Sequence, residues 1–148
     1  MPVKTKSKVS PLRTLKPSLR KKRSSLFPES RVQKAGPEWL KYFNPEVRKR
    51  VVKIHNEGAR SAASTSLLIS LGLRPGASDL LIAWPTNKYA GLWLEVKREN
   101  WKDIPSQRVH FARQLEFGQL MIDSGYHFDV AVGLDKFILI VTRYLSET

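Results

Sequence analysis

A chain of 148 residues with 41% apolar and 9% aromatic side chains holds material for one modest core plus a tail, not for two domains. Its 26 Lys and Arg against 13 Asp and Glu leave a formal charge of +13, which draws the protein toward polyanions and makes nucleic acid the first partner to consider. The absence of Cys excludes disulfide scaffolds, thiolate zinc sites and cysteine nucleophiles, and no apolar run approaches the ~20 residues that span a bilayer or follows the N-terminal basic residues as a secretory leader would.

Residues 1–28 carry nine basic side chains, among them Lys21, Lys22 and Arg23, and no acidic one. Pro2, Pro11, Pro17 and Pro28 with interspersed Ser and Thr offer too little apolar surface to offset the entropy of ordering, so a disordered basic arm is expected ahead of a domain spanning 29–148. Such an arm neutralises phosphates and steepens the salt dependence of binding without reading bases. The cluster Arg20 to Arg23 would also serve as a nuclear signal, so the expected location is the cytoplasm, or the nucleus in a eukaryote.

In the body, 29–42 reads as a helix, broken at Gly36 and Pro37, and then a further turn or two. Pro45 opens a helical turn that runs into a strand at 51–55. Asn56, Glu57 and Gly58 make a turn, 64–73 a short apolar helix, and GLRPG the loop after it. The runs DLLIAW (79–84) and LWLEVK (92–97), joined by PTNKYAG, read as two adjacent strands of a hairpin. A helix is expected over 108–124, with Phe111, Leu115, Gly118 and Ile122 on one stripe, then a strand at 127–132 and a helix with Phe137, Ile140, Val141 and Tyr144 at helical spacing. This order implies an α/β fold, a mixed sheet flanked by helices.

Chemistry gathers on the hairpin. In LWLEVK the side chains alternate, so Glu95 and Lys97 share one face while Leu94 and Val96 point to the other. Hairpin pairing brings Asp79 toward Glu95 at the same rim of the sheet. Two converging carboxylates and the carbonyl of Val96 suit Mg²⁺, which takes oxygen ligands and keeps positions open for water and a phosphate oxygen. Lys97 would then orient the water or stabilise developing charge. Taken alone, the same letters also describe a surface ion pair. His55, His110 and His127 lack the close pairing of zinc or His-metal sites, and no Gly-Lys-Ser phosphate loop appears, so neither zinc nor a nucleotide cofactor is expected. Trp93 shares the face of Glu95 and Lys97 and is a candidate for lining a substrate channel, while Trp84 and Trp101 could stack on bases or fill the core.

The segments IHNEGARS and LGLRPGASDLLIAWPTNKYAGLWLEVK, with Glu29, Gln33 and Trp39 upstream and Gly125, Tyr126, Tyr144 and Leu145 downstream, resemble the VRR-NUC family of the PD-(D/E)xK nuclease superfamily, in its stand-alone phage and bacterial type. The resemblance covers about four fifths of the chain, all but the tail. It implies a restriction-endonuclease-like fold, a catalytic triplet of Asp79, Glu95 and Lys97, and Glu29 as a further metal-side acid supported by Gln33. It also implies a glutamine on the helix after the Lys strand, for which Gln114 is favoured over Gln107 and Gln119. Ser78 departs from the family's usual Pro, and Ala59 stands where a basic residue is common, which shifts the expected phosphate contact to Arg60. Arg98 is a second candidate contact.

The expectation is therefore an Mg²⁺- or Mn²⁺-dependent endonuclease. The resemblance further implies branched DNA, as for a Holliday-junction resolvase, and a homodimer. The competing readings are a basic DNA- or RNA-binding protein without chemistry and a nuclease acting on flaps, nicks or ends.

Overall fold

The structure, a computed structural model, describes residues 29–55 and 61–147. The expected arm, including Lys21, Lys22 and Arg23, lies outside the described residues, as do Glu57 and Arg60. Helix α1 (Glu29–Phe43) leads into a four-residue helix α2 (Pro45–Arg48) and strand β1 (Val51–Lys53). Helix α3 (Ala62–Ser70), strands β2 (Leu80–Ile82) and β3 (Leu92–Lys97), a 3-10 turn (Trp101–Asp103), helix α4 (Pro105–Asp123), strand β4 (His127–Val132) and helix α5 (Gly133–Leu145) complete the order. No described helix is long and apolar enough to cross a membrane.

The sheet runs β1-β2-β3-β4, antiparallel except for the parallel pair β3–β4. This mixed sheet with flanking helices is the α/β class expected. Alternation assigns its faces. Leu80, Ile82, Leu92, Leu94 and Val96 join Val32, Leu40, Phe137, Val141 and Tyr144 in one core under α1 and α5. On the other face Trp93 meets Phe117 of α4 with ring centroids 5.0 Å apart, and a Cβ on Gly118 would stand 2.5 Å from the Phe128 ring.

Two expectations are corrected. The break at Gly36 and Pro37 does not occur: α1 is continuous with Pro37 inside it. Proline removes one backbone donor, but Val32, Gly36 and Leu40 recur at intervals of four and all are buried, so tertiary packing holds the helix through the weak point. Gly36 is needed for that packing, because a Cβ there would lie 2.5 Å from Cζ of the buried Phe137 ring. The apolar stripe expected on α4 is also displaced. Leu115 and Ile122 are 46% and 47% exposed, while Gly118 of the expected stripe is buried, with Phe117 beside it. Strand β1 ends at Lys53 and β2 at Ile82, both short of the expected 55 and 84, while α3 begins and ends a few residues before the expected 64–73.

Candidate active site

The β2–β3 register pairs Leu80 with Leu94, so one step further the strands leave Asp79 across from Glu95. Here the pairing ends and the groups of both faces converge. One carboxylate oxygen each from Glu29, Asp79 and Glu95 lie within 4.8 Å of one another, the one such acidic group among the described residues. Glu29 comes from the first turn of α1 and the other two from the sheet.

Glu95 is fully buried, and its two oxygens differ. Oε1 accepts from the Lys97 ammonium at 2.8 Å and from Nε2 of Gln114 at 2.7 Å, whereas Oε2 is buried without a hydrogen-bond partner among the described residues. Burial, then the neighbouring charge of Asp79, pushes the Glu95 carboxyl up from the ordinary 4.5 to about 8, against the pull of Lys97. The folded state therefore holds a proton that the unfolded chain has released. Stability falls as pH rises through the window from 4.5 to about 8, and a cation that takes the carboxylate opposes that loss.

Asp79 is also buried, with Oδ2 accepting from the Val96 N–H at 2.9 Å and Oδ1 3.5 Å from Lys53 Nζ. A strand residue's N–H and C=O leave on the same side, so the Val96 carbonyl faces the side of Asp79. The Lys97–Glu95 pair, with side chains 5% and 1% exposed, is no surface ion pair. Burying both groups as ions would cost several kcal/mol per ion, roughly, and Glu95 lessens that cost by keeping its proton below about 8.

Of the three glutamines weighed, Gln114 reaches the acids, Gln119 bonds Asp123 at 2.9 Å, and Gln107 leaves its Oε1 buried without a partner. Gln33 turns its amide to Glu29 at 3.4 Å. Arg98 is half-buried just after Lys97. Trp93 departs from the channel expectation: its ring is held between Phe117 and Tyr126, which makes it packing under α4. His127 sits against the Tyr89 and Tyr144 rings, while His55 and His110 are exposed. Lys53 was not anticipated from sequence. No local sequence signal marks it: only the β1–β2 register, with Lys53 across from Leu80, brings it to the rim where β2 begins.

The fold and the acidic rim together define an α/β domain, a mixed sheet with three carboxylates gathered at one end. A solved "VRR_NUC domain protein" matches it with a TM-score of 0.63 and 21% identity, covering 82% of this chain and 90% of that one. The chain thus has the VRR-NUC fold. No protein-family model and no curated protein matches the sequence.

Proposed function

We propose that the chain is a metal-dependent DNA endonuclease that hydrolyses phosphodiester bonds, with branched DNA as substrate and a homodimer as its working form. The observation that carries this reading is the trio Glu29, Asp79 and Glu95 with the buried, unpartnered Oε2 of Glu95 beside the Lys97 ammonium. A buried oxygen without a donor is costly unless a cation answers it.

The donor set fits Mg²⁺ or Mn²⁺, hard cations that take oxygen ligands: Glu29, Asp79, Glu95 and the Val96 carbonyl would hold it. When bound, the cation supplies Lewis-acid polarisation of a phosphate oxygen and a hydroxide-like nucleophile from water. Gln114 and Lys97 fix Oε1 of Glu95 and so aim Oε2. Lys97 also places a positive charge where negative charge develops on the phosphate oxygens. Arg98, Arg60 and the basic arm with Lys21, Lys22 and Arg23 serve the backbone of the DNA.

Resolving a junction needs two sites facing opposed strands, hence C2 symmetry. Helix α3 supports a second copy. It carries no charged side chain and buries none of its residues, and it leaves Leu67 and Ile69 60% and 47% exposed. On a chain of +13, two copies repel least where no charge stands.

The test is a side-by-side incubation of labelled four-way junction, flap, nicked duplex, linear duplex and single strand with Mg²⁺ or with chelator. The expected product is a pair of incisions in opposed strands of the junction, only with metal. Preferred cutting of flaps, nicks or ends would replace the substrate assignment, and binding without product in any lane would leave a DNA-binding protein.

A further inference from the structure

The acids at this rim are served by two ammonium groups of different character. Lys97 is buried against Glu95, whereas Lys53, at the end of β1, has a side chain 35% exposed. Its Nζ donates to Gln33 Oε1 at 2.5 Å and stands 3.5 Å from Asp79 Oδ1. Gln33 in turn gives its amide N–H to Glu29. Lys53 and Gln33 thus link the acid of α1 to the acid that opens β2. The oxygens of Asp79 are divided between two tasks. Oδ2 is spent on the Val96 N–H, which leaves Oδ1 as the oxygen for a cation, and Lys53 leans on that same atom.

We propose that Lys53 is a built-in stand-in for the metal. While the site is without a divalent ion, its ammonium neutralises Asp79 and, through Gln33, steadies Glu29. It must release Asp79 Oδ1 when the ion arrives. Lys53 therefore sets metal affinity as a positioning residue, and the inference rests on the metal-dependent reading above. Two features make the exchange feasible. An ammonium on a side chain a third exposed stays within reach of water and, at 3.5 Å, holds its partner weakly, while a dication among three carboxylates is held by several charges at once. The Gln33 carbonyl also keeps a partner ready for the displaced ammonium, so release does not strand it.

The experiment is calorimetric titration of Mn²⁺ alone into the full chain. Four proteins are compared: wild type, Lys53→Met, Lys53→Arg and the control Lys88→Met. Lys88 is paired with Glu147 at 3.4 Å, at the hairpin end of the sheet away from the acids. Lys53→Met is expected to bind Mn²⁺ about three- to ten-fold more tightly, Lys53→Arg to return to the wild-type value, and Lys88→Met to match wild type. In chelator, Lys53→Met should melt below wild type, and saturating Mn²⁺ should close the gap. Lys53→Gln, which keeps a donor to Gln33 without the charge, covers the case in which the methionine variant fails to fold. Unchanged or weaker Mn²⁺ binding in the neutral variants, or equal tightening in Lys88→Met, overturns the proposal. A wild type that binds no Mn²⁺ overturns the metal-site reading itself, whereas binding indifferent to Lys53 overturns only this inference.

Discussion

Lys97→Ala and Asp79→Asn are each expected to lower metal-dependent cleavage by about three orders of magnitude while DNA affinity stays within about two- to three-fold of wild type. The expected separation follows from burial. Lys97 is 4% exposed and Asp79 6%, so neither contributes much to the field that attracts DNA, which comes from the many exposed Lys and Arg. Both stand at the oxygens where a cation and a phosphate would meet. Asparagine preserves the acceptor for the Val96 N–H, so this variant removes charge and keeps the local hydrogen bond. Lys97→Ala leaves Glu95 without its ion partner, a change that ordinarily costs about 3–5 kcal/mol for a buried pair. Here Glu95 can answer by keeping its proton, since its carboxyl is already pushed up to about 8. Both variants should therefore fold at neutral pH, which thermal melts check. Cleavage retained by either one, measured under single-turnover conditions, removes the residue from the chemistry.

The second large effect is in the core. Phe137→Ala is expected to destabilise the fold by about 3–5 kcal/mol, a large share of a typical domain's stability. Phe137 is fully buried and meets Trp39 edge-on with centroids 6.5 Å apart. Its ring also fills the space that a Cβ on Gly36 would need, at 2.5–2.7 Å. Gly36→Ala should then cost about 1–3 kcal/mol through overpacking, against a gain of at most about 1 kcal/mol in helix propensity. In the Phe137→Ala background the clash is gone, and the same Gly36→Ala change should become stabilising. A denaturant double-mutant cycle measures this reversal. Additive effects of the two substitutions would show that the ring does not set the glycine requirement.

That pair explains what the sequence could and could not convey. The break expected at Gly36 and Pro37 is sound local reasoning defeated by a residue a hundred positions away, because the glycine answers to the Phe137 ring rather than to a turn. The hairpin was legible for the opposite reason: alternation in LWLEVK and the turn residues of PTNKYAG are local signals, and they place Asp79 opposite Glu95 with no help from elsewhere. Helix α4 falls between the two. Its apolar residues are spread around the axis, with Val109, Leu115, Leu120 and Ile122 all exposed, so of the stripe that periodicity picked, packing against Phe128 buries Gly118 but leaves Leu115 and Ile122 outside. The acids that the resemblance drew from three separate segments meet at one rim. Lys53 belongs to no motif and became visible only when β1 was laid beside β2.

The central claim, that this rim seats a divalent cation through ionised Glu95, is tested most directly by Mn²⁺ binding measured between pH ~6 and ~8.5. The carboxyl must give up its proton to serve as a ligand, so affinity should climb as pH rises and level off near about 8, and Glu95→Gln should lose the binding. Affinity that is flat across that range, or undiminished in Glu95→Gln, would contradict it.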